Sequence, residues 1–367
     1  GEGVARILGD MAGPLRVLVV VPPARRGGVA RSSARLAASL RGLGHDALLC
    51  RPDDALFPGD VRSDERGVRF AQADASDLQA WTDRVVEALD ARRPDVVLGY
   101  YATTAGFCAV AAARLRRVPG VLALRGNDVD RDLFVADKLP LLRWAVERAT
   151  RVTAVSREMA AKVEAWLGVR ATVIGNGVDT DVFRPEPDGA ATLRARWGLD
   201  ARRVLGVFGE VKKKRGLERL AALGAALGGG QVLVVGEVRA EARDHLPPGA
   251  RCVPWLEGDD ALRAAYSLCD LVAQPSVHDG TPNVVLEAMA CGRLVAAAPV
   301  GGLVDVVPHG ETGLLCATTA DWRAALDVAR SPDAARIGAA ARAAAPSPAG
   351  ERDAYVTVLR EAISAGA

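Results

Sequence analysis

Two acidic residues with seven others between them, Asp279 and Glu287, stand in the stretch QPSVHDGTPNVVLEAMACGRLVAAAPVGGLVDVVPHGETGLL, residues 274–315. A turn-forming segment there precedes an apolar stripe of Val284, Val285, Ala288 and Cys291, so a helix is predicted to start near Thr281 or Pro282. Pro is favourable in a first helical turn because its missing N–H would be unpaired there anyway. Thr281 is placed to cap that helix. The backbone of the turn Gly280, Thr281, Pro282 and Asn283 then forms a helix N-terminus, which favours an anion such as a diphosphate. Glu287 lies one to two turns further in, where a carboxylate suits a ribose diol by accepting two hydroxyl hydrogen bonds. Asp279, just before the turn, suits a sugar hydroxyl, and Gly301-Gly302 let backbone approach a ligand closely.

A second chemical feature is the basic run Lys212-Lys213-Lys214-Arg215. Each of these features also has a plainer reading: a solvated turn for the run, a surface carboxylate for Glu287, an ordinary turn for Gly301-Gly302. Their order and spacing give them weight together.

The elements that must position them alternate from end to end. Leu15–Val21 is apolar but for Arg16, as in a strand buried on both faces. Val29, Leu36, Leu40 and Leu43 follow at helical spacing, with Gly44 as a stop. Strands are predicted at 47–50, 95–99, 121–124, 152–155 and 172–174, with helix-like Ala/Leu/Arg stretches between them. The rhythm pauses at 176–200, which reads as a linker and a short helix. It resumes with strands at 204–208, 231–235, 251–253, 271–274 and 294–298. The expected fold class is α/β, two Rossmann-like doubly wound domains facing a cleft. The expected boundaries are 14–181 for an N-terminal acceptor-binding domain, 182–200 for a linker and 201–345 for a C-terminal donor-binding domain. A final helix, 346–367, is expected to pack back toward the N-terminal domain. Ligands bind beyond the carboxyl ends of strands in such sheets, and the chemistry-bearing residues cluster just after strands.

Composition agrees. The chain has 367 residues, 50% hydrophobic and 4% aromatic, which suits two domains of helices and buried parallel strands. Arg far outnumbers Lys, which GC-rich coding explains without a function. A net charge of +2 gives no argument for a nucleic-acid partner. Cys50, Cys108, Cys252, Cys269, Cys291 and Cys316 are scattered and read as buried free thiols in a reducing compartment; the four histidines, His45, His245, His278 and His309, lack metal-ligand spacing. Residues 1–13 read as a poorly ordered lead-in, and the first apolar run is too short to span a bilayer. The expectation is a cytoplasmic protein, with peripheral membrane contact left open.

The stretch 274–315 resembles the donor-site signature of retaining GT-B glycosyltransferases of glycosyltransferase family 4, which carries two acids separated by seven residues, then EAMACG and a downstream Gly-Gly. The resemblance covers nearly the whole chain. It implies that Glu287 holds the nucleotide ribose and Asp279 the donor sugar, although the family usually has Glu at the first position. RRGGVARSSARLAASLRGLGHDALL resembles the first glycine loop and helix, in which Gly27 and Gly28 would face donor phosphates and acceptor. VLALRGNDVDRDLF stands where a strand end often reads His-Gly, so Arg125 replaces that His. It is either a cation near the transferred sugar or acceptor, or the partner of Asp128 or Asp130. VTAVSREM and VIGNGVDTDVF resemble the last elements before the linker. VFGEVKKKRGLERL resembles the phosphate-binding turn after Gly209, where an Arg and a Lys usually clamp the diphosphate. Here Glu210 replaces that Arg and orients a neighbouring Lys. Arg215 stands at the Lys position, with Lys214 and Lys213 beside it.

The resemblance implies sugar transfer from a nucleoside diphosphate, UDP foremost, with retention at the anomeric carbon. No metal or other cofactor is expected, and the Asp-rich NDVDRD is discounted as a metal loop because cations and helix dipoles clamp the diphosphate. The acceptor stays open among small molecules, glycans and lipids, since variable loops read it. No Gly-x-Gly-x-x-Gly follows the first strand and no Walker-type Gly-Lys-Ser/Thr occurs, which sets aside dinucleotide dehydrogenases and NTPases. A sugar-nucleotide epimerase of the same fold and an inactive sugar-nucleotide-binding protein stay as alternatives.

Overall fold

A computed structural model describes residues 13–22, 27–51, 75–199 and 203–366. Most of the lead-in and part of the first glycine loop lie outside the described residues. The chain forms two compact units, residues 1–175 with 348–367, and residues 176–347.

The first unit is built on a six-stranded sheet: β1 Arg16–Val20, β2 Asp46–Cys50, β3 Val96–Tyr100, β4 Gly120–Leu124, β5 Arg151–Ala154 and β6 Thr172–Val173, in the order β2-β1-β3-β4-β5-β6. Every pairing in it is parallel. Successive side chains of a strand point to opposite faces. Accordingly, Val17 and Val19 of β1 enter one core, while Leu18 and Val20 enter another on the opposite face. Both faces need helices, and the apolar residues of Gly28–Gly42 supply part of one cover through Leu36, Ala37 and Leu40. Leu43, expected on that stripe, is instead exposed because the helix has already ended and Leu43 is its C-cap. The same face receives Tyr355, Val358, Leu359 and Ala362 from the last helix, Pro348–Gly366. The chain's end thus completes the first unit's core.

The second unit carries β7 Val204–Phe208, β8 Gln231–Val235, β9 Arg251–Val253, β10 Leu271–Gln274, β11 Leu294–Ala297 and β12 Leu314–Leu315, in the order β12-β11-β10-β7-β8-β9, again all parallel. Leu205 and Val207 face one core, Val204 and Phe208 the other. The segment read as a linker is part of this unit: Phe183, Ala190, Trp197 and Leu199 bury themselves in the core that holds Phe208 and Tyr266. All six cysteines are free; five are buried and Cys252 is exposed.

Strand order reverses between β1 and β3 in the first sheet and between β7 and β10 in the second. At such a switch point the connections leave toward opposite faces, opening a crevice at the strands' carboxyl ends. Gly27-Gly28 lie beyond β1, while Gly209 to Arg215 follow β7 and Pro275 to Asn283 follow β10.

Candidate functional site

The switch point of the second sheet gathers most of the expected residues. β7 ends at Phe208, and a single 3-10 turn, Lys213–Arg215, precedes the helix Leu217–Ala226. That turn leans on the loop after β10: the Val277 N–H donates to the Lys214 carbonyl at 2.8 Å, and Arg219 Nη1 donates to the Ser276 carbonyl at 3.0 Å. Arg215 is buried, and its Nε donates to the Glu210 carbonyl at 3.4 Å. Gly209 makes room for it, since a Cβ there would stand 2.9 Å from Arg215 Nη2.

Asp279 lies between the two cations. Its Oδ2 is 3.6 Å from Arg215 Nη1 and its Oδ1 is 3.9 Å from Lys214 Nζ. Gln274 Nε2 and Ser276 Oγ donate to Oδ2 at 2.9 and 3.1 Å. Burial pushes the Asp279 carboxyl up, but Lys214, Arg215 and these two hydrogen bonds outweigh it and hold the group below the ordinary carboxylate range. Lys213 is exposed and stands outside this cluster. Glu210 pairs with Lys212 and Arg239, which hold its carboxyl low against burial. It therefore neutralises the outer end of the basic run and leaves Lys214 and Arg215 to the inner end.

The helix expected near Thr281 runs Asn283–Ala290, and Pro282 is its N-cap. Thr281 is not the cap, because the chain enters one residue later than the sequence suggests and no side chain caps the helix. The turn is held instead by backbone and amide contacts. Asn176 Nδ2 donates to the Thr281 carbonyl at 2.8 Å, and the Gly302 N–H donates to the Gly280 carbonyl at 2.8 Å. Gly301 and Gly302, expected to admit a ligand, are packed beneath the chain's own turn: a Cβ on Gly301 would stand 1.6 Å from the Asp279 carbonyl oxygen, with Gly301 at φ +53°. Gly301→Ala is therefore expected to destabilise the second unit by about 1–3 kcal/mol, since both the contact and the left-handed backbone oppose a side chain. Chemical denaturation checks the stability loss, and nucleotide binding should weaken with it as the turn shifts.

Glu287 is buried on that helix, where Tyr266 OH donates to its Oε2 at 2.7 Å. Tyr266 stacks on Phe208, the last residue of β7, with ring centroids 4.1 Å apart. Sequence reasoning missed Tyr266; the only signal is its place as one of four tyrosines, on the buried side of the helix Asp259–Leu268. Glu287 is thus a braced carboxylate rather than a solvated one.

Gly27, Gly28 and Arg125 belong to the first unit. Gly27 is the N-cap of the helix Gly28–Gly42. Arg125 is buried at the end of β4, its guanidinium bonded to Ser32 and Tyr355. Asp128 meets Arg125 through the backbone, accepting its N–H at 3.1 Å together with those of Gly126 and Ala102. Asp130 pairs with Lys162, and Asp132 takes Thr103 and Arg131. The three carboxylates of NDVDRD are thus engaged by amides, a hydroxyl and cations. Among the described residues no group of three or more His, Cys, Asp or Glu is arranged to hold a metal, and no helix is long and apolar enough to cross a membrane.

Two parallel doubly wound domains in tandem, the second with cations and a helix N-terminus at its switch point, have the architecture of the GT-B glycosyltransferases. Solved structures of that class cover nearly the whole chain. Sucrose-phosphate synthase from Thermosynechococcus elongatus matches 95% of this chain and 100% of its own at a TM-score of 0.75 and 19% identity. Anabaena HepE in complex with UDP-glucose matches 95% and 100% at 0.76 and 21%. The chain belongs to the glycosyltransferases: residues 26–182 match Glycosyltransferase Family 4 and residues 202–329 match Glycosyl transferases group 1. A GDP-mannose-dependent alpha-mannosyltransferase of Mycolicibacterium smegmatis is 30% identical over 303 residues, 78% of this chain and 80% of the relative. A D-inositol 3-phosphate glycosyltransferase of Mycobacteroides abscessus is 33% identical over 179 residues, 43% of this chain and 38% of the relative.

Proposed function

We propose that this glycosyltransferase moves a sugar from a nucleoside-diphosphate sugar to its acceptor with retention at the anomeric carbon. The observation that carries the reading is the pairing of Lys214 and Arg215 with Asp279 at the β7/β10 switch point, directly before the Gly280–Asn283 turn and the helix that carries Glu287. Lys214, Arg215 and the amides opening the helix Asn283–Ala290 receive the diphosphate, Glu287 receives the ribose diol and Asp279 faces the sugar. As the bond from the anomeric carbon to the phosphate oxygen breaks, negative charge grows on the leaving group. Preorganised cations and amides stabilise that charge without reorganising. The acceptor oxygen bonds to the anomeric carbon on the face the diphosphate leaves, and its proton passes to the departing phosphate oxygen. No separate general base is needed, and the cations carry the charge compensation that a divalent metal would otherwise supply.

The family resemblance puts UDP foremost, with GDP, ADP and dTDP open beside it. The long-matching relative that uses GDP-mannose makes guanine the first alternative to test. GDP-mannose carries its sugar in α-linkage, so an α-mannosyl product is the retained one. Thermal shift with UDP-, GDP-, ADP- and dTDP-sugars identifies the donor, since a ligand at 100 times its Kd stabilises by about 2.7 kcal/mol. Slow hydrolysis of that donor separates a live transferase from an inactive binding protein, and NMR of the first product reports the anomeric outcome. Inversion would overturn the retaining mechanism, and epimerised donor would move the reading to the epimerases. With the donor known, Glu287→Ala should weaken the nucleoside diphosphate by about 1–3 kcal/mol, the range for losing hydrogen bonds to a charged group. Unchanged calorimetric affinity would remove Glu287 from the ribose.

A further inference from the structure

Arg125 stands where the sequence resemblance places a group near the transferred sugar or acceptor, yet its guanidinium is built into the interior. Nη2 donates to Ser32 Oγ at 3.1 Å and Nη1 donates to Tyr355 OH at 3.3 Å. The guanidinium carbon lies 5.1 Å from the Tyr100 ring centroid, close enough for a cation–π contact. The Ser32 hydroxyl in turn donates to the Val29 carbonyl at 3.2 Å, within the first turn of the helix Gly28–Gly42. One turn on, Arg35 pairs with Glu351 at 2.8 Å, and Glu351 is itself buried. Glu351 and Tyr355 both lie on the last helix, Pro348–Gly366. Burial works against the Arg125 charge, while Tyr355, Tyr100 and Glu351 more than offset it.

We propose that Arg125 is a positioning residue, which joins the end of β4 to the C-terminal helix and so fixes the first turn of the glycine-loop helix that begins at Gly27-Gly28. The geometry needs an arginine: two nitrogens of one planar fork reach two different elements, which an ammonium point charge does not reproduce. The guanidinium holds a serine hydroxyl, the hydroxyl holds the Val29 carbonyl, and the helix N-terminus beyond β1 takes its place from residues at the far end of the chain. A segment that follows the entire second unit in sequence thereby becomes part of the first unit's site. The functional half of this inference rests on the transfer reaction proposed above; the structural half does not.

Arg125→Lys, Ser32→Ala, Tyr355→Phe and the Arg125→Lys/Tyr355→Phe double variant test it in the full-length chain. Tyr355→Phe keeps the ring that packs the last helix, so it removes the hydroxyl with the core retained. Hydrogen exchange of residues 27–33 should accelerate about tenfold in each single variant, the double being no faster than the faster single, because residues of one network are not additive. With donor and acceptor in hand, kcat should fall in step and by a larger factor than nucleoside-diphosphate affinity, to which Gly27-Gly28 would add only beside the second unit. The proposal is overturned if Ser32→Ala and Tyr355→Phe exchange like the parent. It is equally overturned if Arg125→Lys alone loses turnover with exchange unchanged, which would place the guanidinium's work at the substrate. A chain that transfers no sugar would still return the exchange result.

Discussion

Arg215→Ala is expected to lower kcat by roughly 10²–10³-fold, the usual effect of removing one preorganised donor from a developing oxyanion. Two features make the estimate specific to this residue. Its guanidinium is buried, so its charge acts in a medium that screens it less than water does. It is also positioned before any ligand arrives, by the Glu210 carbonyl and by Asp279 3.6 Å away. Arg215→Lys keeps the charge and loses the fork, and should fall between the parent and the alanine variant. The alanine variant also leaves Asp279 with Lys214 as its remaining cation, so some stability is lost in the second unit. Turnover should nevertheless fall further than that loss explains. Single-turnover rates at saturating donor, measured beside denaturant midpoints, separate the two effects. Wild-type turnover in Arg215→Ala would return the whole basic run to a solvated turn.

The strands were legible in the sequence because parallel strands buried on both faces leave apolar runs, and all eleven read there, the two-residue β6 among them, fall within one residue of the observed ends. The β12 pair Leu314–Leu315 was missed because two apolar residues carry no period. The stretch 176–200 reads as a linker and a short helix because prolines, glycines and acids dominate it, while the anchors Phe183, Trp197 and Leu199 show no regular stripe. The candidate site residues of the second unit were legible as a linear motif, since Asp279, the Gly280–Asn283 turn and Glu287 share one loop and one helix. Their supports were not. Tyr266 reaches Glu287 across 21 residues, and Arg125 reaches Ser32 and Tyr355 across 93 and 230. Such pairs form only when strand order and helix packing bring them together, and no local period in the chain announces them.

Asp279 is the residue whose replacement should change what the enzyme selects. A site that hydrogen-bonds a hydroxyl rejects analogues lacking or inverting it strongly, because its polar groups are then left unpaired. Asp279→Asn keeps an oxygen able to accept from Gln274 and Ser276, so the loop and the fold should survive. It removes an anion 3.6 and 3.9 Å from the two cations, so nucleoside-diphosphate affinity should hold or rise. Turnover should fall by roughly 10²-fold or more as the contact that orients the sugar weakens. Asp279→Glu, one methylene longer, should be milder and should reorder epimeric donors. The pH response carries the opposite sign from a buried neutral acid. The folded carboxyl titrates below its unfolded value, so its stabilising contribution is present above the unfolded value and disappears as pH falls through the lower folded one. Asp279→Asn should therefore shrink the acid limb of the second unit's stability profile and leave the neutral plateau lower. A donor panel on all three proteins at matched nucleotide occupancy, with denaturant midpoints across that acid range, reads both effects. If the three rank donors identically and turn over at one rate, Asp279 serves only to brace Lys214 and Arg215, and the sugar is read elsewhere.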